Sequence, residues 1–236
     1  MNEFDSTIIL FFNQYAHIST TFDKFIVTLS SNHLLKGGVI ASLMWYVLFN
    51  NLSNFDKNKF YIIASIISTI ISLSIARGLS LILQMRLRPL HEQSIDFILP
   101  YGIGKELLDG WNSMPSDHAT LFFTLSIGLY FTSKRIGLFA LFYTVVFICI
   151  PRVYLGLHYP TDLIVGAIIG IIVSYIVFSL PFFIIRINKL IRFSAFHSGS
   201  FYSIIFLFTY QIADMFDTTR DLLKVSHMFF KSIGLY

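Results

Sequence analysis

From residue 161 to residue 185 the chain carries a single charge, Asp162, and residues 136–150 carry none. Three further stretches have the same character: 34–50, 60–84 and 117–132. Each approaches the roughly 20 apolar residues that a helix needs to cross a bilayer. Composition agrees, with 55% hydrophobic residues, 13% charged residues and 26 phenylalanines. A soluble core of this size does not require so much apolar surface, whereas a bundle facing lipid does. The expected fold is therefore all-α: one polytopic membrane domain with a bundle of five to six transmembrane helices.

Within that domain, residues 34–185 form the core spans. Residues 1–33 alternate apolar and polar clusters, which fits a pair of interfacial helices better than a full span. Residues 200–216 are a candidate sixth span, and the tail after Asp217 reads as an amphipathic surface segment. The start, Met1-Asn2-Glu3-Phe4-Asp5, is acidic and no small-residue cleavage site follows, so no cleavable signal peptide is expected. The single cysteine, Cys149, excludes an internal disulfide and a cysteine metal cluster. A net charge of +4 is modest, and no nucleic-acid partner is expected. Lys57, Lys59, Lys134, Arg135, Arg186, Lys189 and Arg192 all fall on one side of this threading, which the positive-inside rule makes cytoplasmic. Gly166 and Gly170 form a small-xxx-small pair that serves close helix packing.

The polar residues that remain collect at the opposite face. In Pro151-Arg152-Val153-Tyr154-Leu155-Gly156-Leu157-His158-Tyr159-Pro160-Thr161-Asp162, the proline suits the first position of a helix. Asp162 then falls in the first turn, where it complements the dipole and is expected to reach back to His158. A carboxylate on one ring nitrogen leaves the other electron-rich, as a nucleophilic histidine requires. Arg152 adds a donor fork matched to phosphate oxygens. In Met114-Pro115-Ser116-Asp117-His118, Ser116 suits an N-cap at a helix start, a ready anion site. His118 in the same turn is placed to donate a proton. Arg77, Gln84 and Arg88 are spaced to share one helical face, and an arginine as deep as Arg77 is functional by default. Arg86 reads as a snorkelling interfacial residue.

Arg-Pro, Pro-Ser-x-His and Arg-x5-His-x3-Asp, in this order and on one face, resemble the type 2 phosphatidic acid phosphatase (PAP2) superfamily. The resemblance covers Arg77 to Asp162 by motif and the surrounding spans by layout. Three positions depart from it. Leu81 stands where the first motif opens with lysine, for which Arg77 is a candidate substitute; Pro151 replaces the serine of the third motif; Asp117 replaces a common glycine. The resemblance implies that His158 attacks phosphorus with Asp162 fixing its tautomer, and that His118 protonates the leaving group. Arg88, Arg152, Ser116 and Arg77 then hold the phosphate oxygens, with no metal and no cofactor.

The expected function is a membrane phosphatase acting on a lipid phosphate or diphosphate, with an undecaprenyl-type diphosphate as first choice. Phosphatidic acid, phosphatidylglycerol phosphate and lipid A phosphates are alternatives. A lipid phosphotransferase and a non-catalytic lipid-binding scaffold are the rival classes. The expected location is a bacterial inner membrane, with the site on the extracytoplasmic face. The loop of residues 89–115, carrying His91, Glu92, Asp96 and Lys105, reads as solvated rather than as a cover, with Trp111 as an interfacial anchor or substrate contact. His17, His33, His197 and His227 carry structural expectations only.

Overall fold

Apolar runs that are as long as a bilayer is thick can satisfy their backbone only as helices or closed barrels, and here every element of regular structure is helical. The computed structural model describes residues 2–50 and 55–216; the expected amphipathic tail and His227 lie outside them. Two N-terminal helices, α1 (Glu3–Asn13) and α2 (Thr20–Ser31), are capped by the side chains of Asn2 and Ser19. They expose Phe4, Phe11, Phe22 and Phe25 while burying Asp5 and Asp23. The helix pair expected here is thus present.

The bundle follows as α3 (Leu34–Asn50), α4 (Phe55–Ile82), α5 (Asp117–Thr132), α6 (Lys134–Tyr154), α7 (Pro160–Ser179), α8 (Pro181–Phe196) and α9 (Ser198–Ala213). Among the described residues, α4, α6 and α7 are long and apolar enough to cross a membrane, while α3 is a shorter apolar helix. The protein is an integral membrane helix bundle.

Helix α5 lies at its centre because small and hydroxylated residues let its neighbours approach. A Cβ on Gly166 would lie 2.5 Å from the Ser116 carbonyl oxygen, and one on Gly170 equally close to that of Thr120. Ser174 donates to the Thr124 carbonyl at 3.5 Å. These steps of four residues on both helices make α5 and α7 parallel, so both begin at the same end. On the other side Ser72 meets Thr124 at 3.2 Å and Arg77 pairs with Asp117, which makes α4 antiparallel to α5. Lipid-facing positions such as Ile164, Ile168, Ile172 and Ile176 recur every four residues along α7.

The fifth span ends earlier than the expected residue 185. Pro181 disfavours helical backbone at the residue before it, so Leu180 is extended (φ −74°, ψ 129°) and α8 starts afresh. The candidate sixth span is helix α9, which runs antiparallel to α3 along its length. Tyr202 packs on Phe49 with 5.7 Å between ring centroids, Trp45 Nε1 donates to Thr209 at 3.0 Å, and Ala213 abuts Gly37. Two π-helical turns interrupt the bundle, Leu34–Gly38 at the start of α3 and Thr144–Cys149 within α6. The second immediately precedes Pro151, which has no N–H to continue α-helical bonding. The ends of α4 and α6 and the starts of α3, α5 and α7 therefore gather at one end of the bundle. The basic end is the opposite one, where Lys59 donates to Ser194 at 3.1 Å.

Candidate active site

At the gathered end lies a cavity of about 440 Å³, lined by Arg77, Arg88, Arg152, His118 and His158 together with Lys36 and Asp117. Five of the seven residues expected in the site thus share one cavity. Ser116 and Asp162 do not line it. Both are fully buried behind it, where Ser116 carries the carbonyl that packs on Gly166, its hydroxyl meeting no hydrogen-bond partner among the described residues. Ser116 occupies the expected N-cap position but makes no side-chain capping bond.

His158 follows a turn made possible by Gly156, whose φ of +67° suits glycine and whose missing side chain admits Phe97. Its Nδ1 lies 2.9 Å from the Ser113 carbonyl oxygen. An oxygen that can only accept makes Nδ1 the protonated nitrogen and leaves the Nε2 lone pair in play. Nε2 lies 3.2 Å from Nη1 of Arg88, which is oriented to donate to it. Asp162 was expected to hold the imidazole directly. It stands instead 3.7 Å from Nδ1, because its lone pairs are engaged elsewhere. Oδ2 accepts from the Ser113 hydroxyl at 2.5 Å and from the Tyr159 N–H at 2.8 Å, and Oδ1 accepts from Arg86 at 2.5 Å. The carboxylate acts on the ring through Ser113 and through its field. Ser113 carries no motif signal; only the fold brings it here.

Burial, opposed by Asp162 and aided by Arg88, pushes the His158 pKa down to about 4. The imidazole is therefore neutral at physiological pH, as a nucleophile must be. Arg88 is lowered by burial to about 10 and stays charged. Its Nη1 also donates to the Leu157 carbonyl at 2.5 Å and its Nη2 to that of Asn112 at 3.3 Å, anchoring the guanidinium to both loops that flank the cavity. Arg152 donates to the Ser30 carbonyl at 3.1 Å.

Arg86 is the principal residue that the sequence reading misjudged. Rather than snorkelling, its Nη1 donates to Asp162 and, at 2.8 Å, to Thr161. Its Nη2 donates to Asp5 at 2.6 Å, and the guanidinium covers the Tyr159 ring at 3.9 Å. Asp5 in turn accepts from the Thr161 N–H at 3.0 Å and hydroxyl at 2.7 Å. Helix α1 is thereby bound to the start of α7. The only hint in the sequence is a second acidic residue, after Glu3, in the first turn of α1. Asp23 does the same for α2, accepting from the Tyr101 N–H at 2.9 Å and from the Tyr154 hydroxyl.

Arg77, Gln84 and Arg88 do not share a helical face, because α4 ends at Ile82 and residues 83–88 leave it as non-helical chain. Arg77 reaches the cavity from the last turns of α4, paired with Asp117 and 5.2 Å from the Trp111 ring centroid. Leu81 is 87% exposed and faces away from any phosphate role. The loop read as solvated is in fact a cover: Ile103, Leu107, Leu108 and Trp111 line the cavity, while His91, Glu92, Asp96 and Lys105 do not. Ile103 is half-buried there, while Leu107, Leu108 and Trp111 each keep an exposed edge. The other histidines of the expected structural set that are described, His17, His33 and His197, sit in protein contacts. His17 bonds to the Leu99 carbonyl and stacks on Tyr101, His33 pairs with Asp214 at 3.3 Å, and His197 stacks on Phe193.

Residues 79–186, which contain most of this site, match the PAP2 superfamily. That stretch is a little under half of the chain. Two curated relatives illustrate how far the likeness extends. The bacitracin transport permease protein BcrC of Bacillus licheniformis is 36% identical over 67 residues, 28% of this chain and 32% of that protein. The alignment thus spans about a third of its length. The lipid A 4'-phosphatase of Bacteroides thetaiotaomicron is 27% identical over 172 residues, 72% of this chain and 73% of that protein. No solved structure matches. The matched stretch contains Arg88, Arg152, the two histidines and Asp162, but it excludes Asp5, Asp23, Lys36 and Arg77.

Two outcomes are expected from this geometry. Arg86→Met leaves Asp5 and Asp162 buried without their shared cation. It should cost about 3 kcal/mol of stability, at the lower end for a broken buried pair because the arginine is partly exposed, measured as thermal unfolding in detergent. Arg86→Lys should not restore it, since one ammonium cannot bridge two carboxylates as a fork does. His158, being harder to protonate folded than unfolded, gives the native state an advantage that is full above about pH 6.5 and lost as pH falls toward 4. The unfolding temperature should drop across that window, and less so in His158→Asn.

Proposed function

We propose that the protein is a lipid phosphatase that cleaves the terminal phosphate from a membrane-embedded phosphate or diphosphate, a polyprenyl diphosphate of the undecaprenyl type being the preferred class. The observation that carries this reading is the neutral His158, its Nε2 turned to Arg88 in a cavity that also holds Arg152, Arg77 and His118. The match of residues 79–186 to the PAP2 superfamily and the similarity to a lipid A 4'-phosphatase support the reaction class.

Substrate oxygens take over the Arg88 donors, freeing the Nε2 lone pair for in-line attack on phosphorus. The P–O bond to the leaving group breaks as the P–N bond forms, and protonated His118 gives its proton to the departing oxygen. Neutral His118 next takes a proton from water, whose oxygen attacks the phosphohistidine; the P–N bond breaks and its electron pair returns to Nε2. Arg88 and Arg152 hold the equatorial oxygens through both steps. The Ser113 carbonyl keeps Nδ1–H in place and the Asp162 charge favours the imidazolium-like phosphohistidine. The position of the cavity at the end opposite Lys59, Lys134 and Arg135 supports, through the positive-inside rule, a site on the extracytoplasmic face. The long alignment with a lipid A 4'-phosphatase favours a lipid phosphomonoester as the second reading.

The test is phosphate release in detergent, with chelator present, from polyprenyl diphosphate, lipid A and phosphatidic acid. Wild type should release phosphate and His158→Ala should lose at least about a thousandfold of that rate, as nucleophile removal does. Release that persists in His158→Ala contradicts the proposal.

A further inference from the structure

The cavity contains a cation that neither the motifs nor the superfamily match accounts for. Lys36 is 5% exposed on α3, a helix otherwise without charge, and lines the cavity. An ammonium held within a membrane bundle is costly unless it faces an anion or an aqueous cavity, and it marks a functional position by default. Its backbone is specially shaped. Lys36 lies in the π-helical turn Leu34–Gly38, an insertion found disproportionately at functional sites. Gly37 beside it has no room for a side chain against the Ala213 backbone, which fixes that turn against α9.

Lys36 also has a defined place relative to the histidine site. Arg152 donates to the Ser30 carbonyl, and the Lys36 N–H donates to that of Asn32 at 2.9 Å. Ser30, Ser31 and His33 line the cavity with them. Arg152 therefore stands between His158, six residues on, and the α2–α3 junction that bears Lys36. The lining cations come from four stretches of chain: Lys36 from α3, Arg77 from α4, Arg88 from the segment after α4 and Arg152 from the end of α6. Donors spread over four stretches can span two phosphate groups rather than one.

We propose that Lys36 builds a second phosphate subsite at the α2–α3 end of the cavity, binding the lipid-linked phosphate of a diphosphate while His158 attacks the terminal one. This rests on the phosphatase reading above. The bond broken is the bridging P–O bond. The lipid monophosphate departs with a proton from His118, and Lys36 holds its developing charge.

The experiment compares wild type, Lys36→Met and Lys36→Arg on farnesyl diphosphate and farnesyl monophosphate in detergent. In Lys36→Met, kcat/KM on the diphosphate should fall about tenfold or more, the scale of a lost charged hydrogen bond. The monophosphate rate should stay within about twofold, which also shows the variant folded, and Lys36→Arg should recover most of the loss. Equal losses on both substrates, no loss on either, or a wild type that cleaves only the monophosphate overturns the subsite. A wild type that cleaves neither speaks against the phosphatase reading, and binding then decides the subsite separately. Inorganic pyrophosphate should protect wild type from thermal unfolding more than inorganic phosphate does, a difference that Lys36→Met abolishes. Equal protection by the two anions overturns the proposal.

Discussion

The Asp162 carboxylate is the point on which the site depends. It is wholly buried at the start of α7 and accepts hydrogen bonds from Arg86, Ser113 and Tyr159. Each of these belongs to a different stretch of chain: the exit from α4, the approach to α5 and the turn before α7. An ionised carboxylate inside a bundle is tolerable only when its lone pairs are satisfied, and satisfying them draws the three loops together. The Ser113 carbonyl then meets His158 Nδ1, and Nε2 points to Arg88. The aspartate is less a handle on the histidine than the anchor of everything that touches it.

The bundle makes this anchoring possible by holding its helices in register. Parallel packing of α5 on α7 through Gly166 and Gly170 sets the His118 turn beside the Asp162 turn. Antiparallel α4 brings Arg77 to Asp117 at the same level. The N-terminal helices complete the arrangement with Asp5 and Asp23, which bind the loop ends from outside the bundle. In water such pairs contribute little, but these aspartates are fully buried and their partners would be left uncompensated without them.

Much of this was legible beforehand, and the reasons are local. Apolar runs of bilayer length located the helices, and the spacing of Arg152, His158 and Asp162 around Pro160 placed them where two helices meet. Helix α5 was read with its final bounds because serine and proline mark its beginning and Ser133 its end. What escaped were relations between distant segments. Asp5 and Arg86 are 81 residues apart, and nothing in either neighbourhood announces the other. Arg88 was assigned to a helix face because no proline or glycine after Gly78 announces the end of α4 before Pro89. Ser113 contributes its carbonyl oxygen to His158 and its hydroxyl to Asp162, 49 residues on, and no local pattern announces that pairing. The covering loop was misread because its charged residues dominate the pattern while its apolar ones line the cavity.

The account turns on which nitrogen of which histidine carries phosphorus. Rapid quenching of wild type with lipid diphosphate labelled in its terminal phosphate, followed by mapping of the acid-labile adduct, measures this directly. Phosphate on Nε2 of His158 is the expected result, because Nδ1 is committed to the Ser113 carbonyl. Phosphate on Nδ1, on His118, or on no residue during steady turnover would contradict the account.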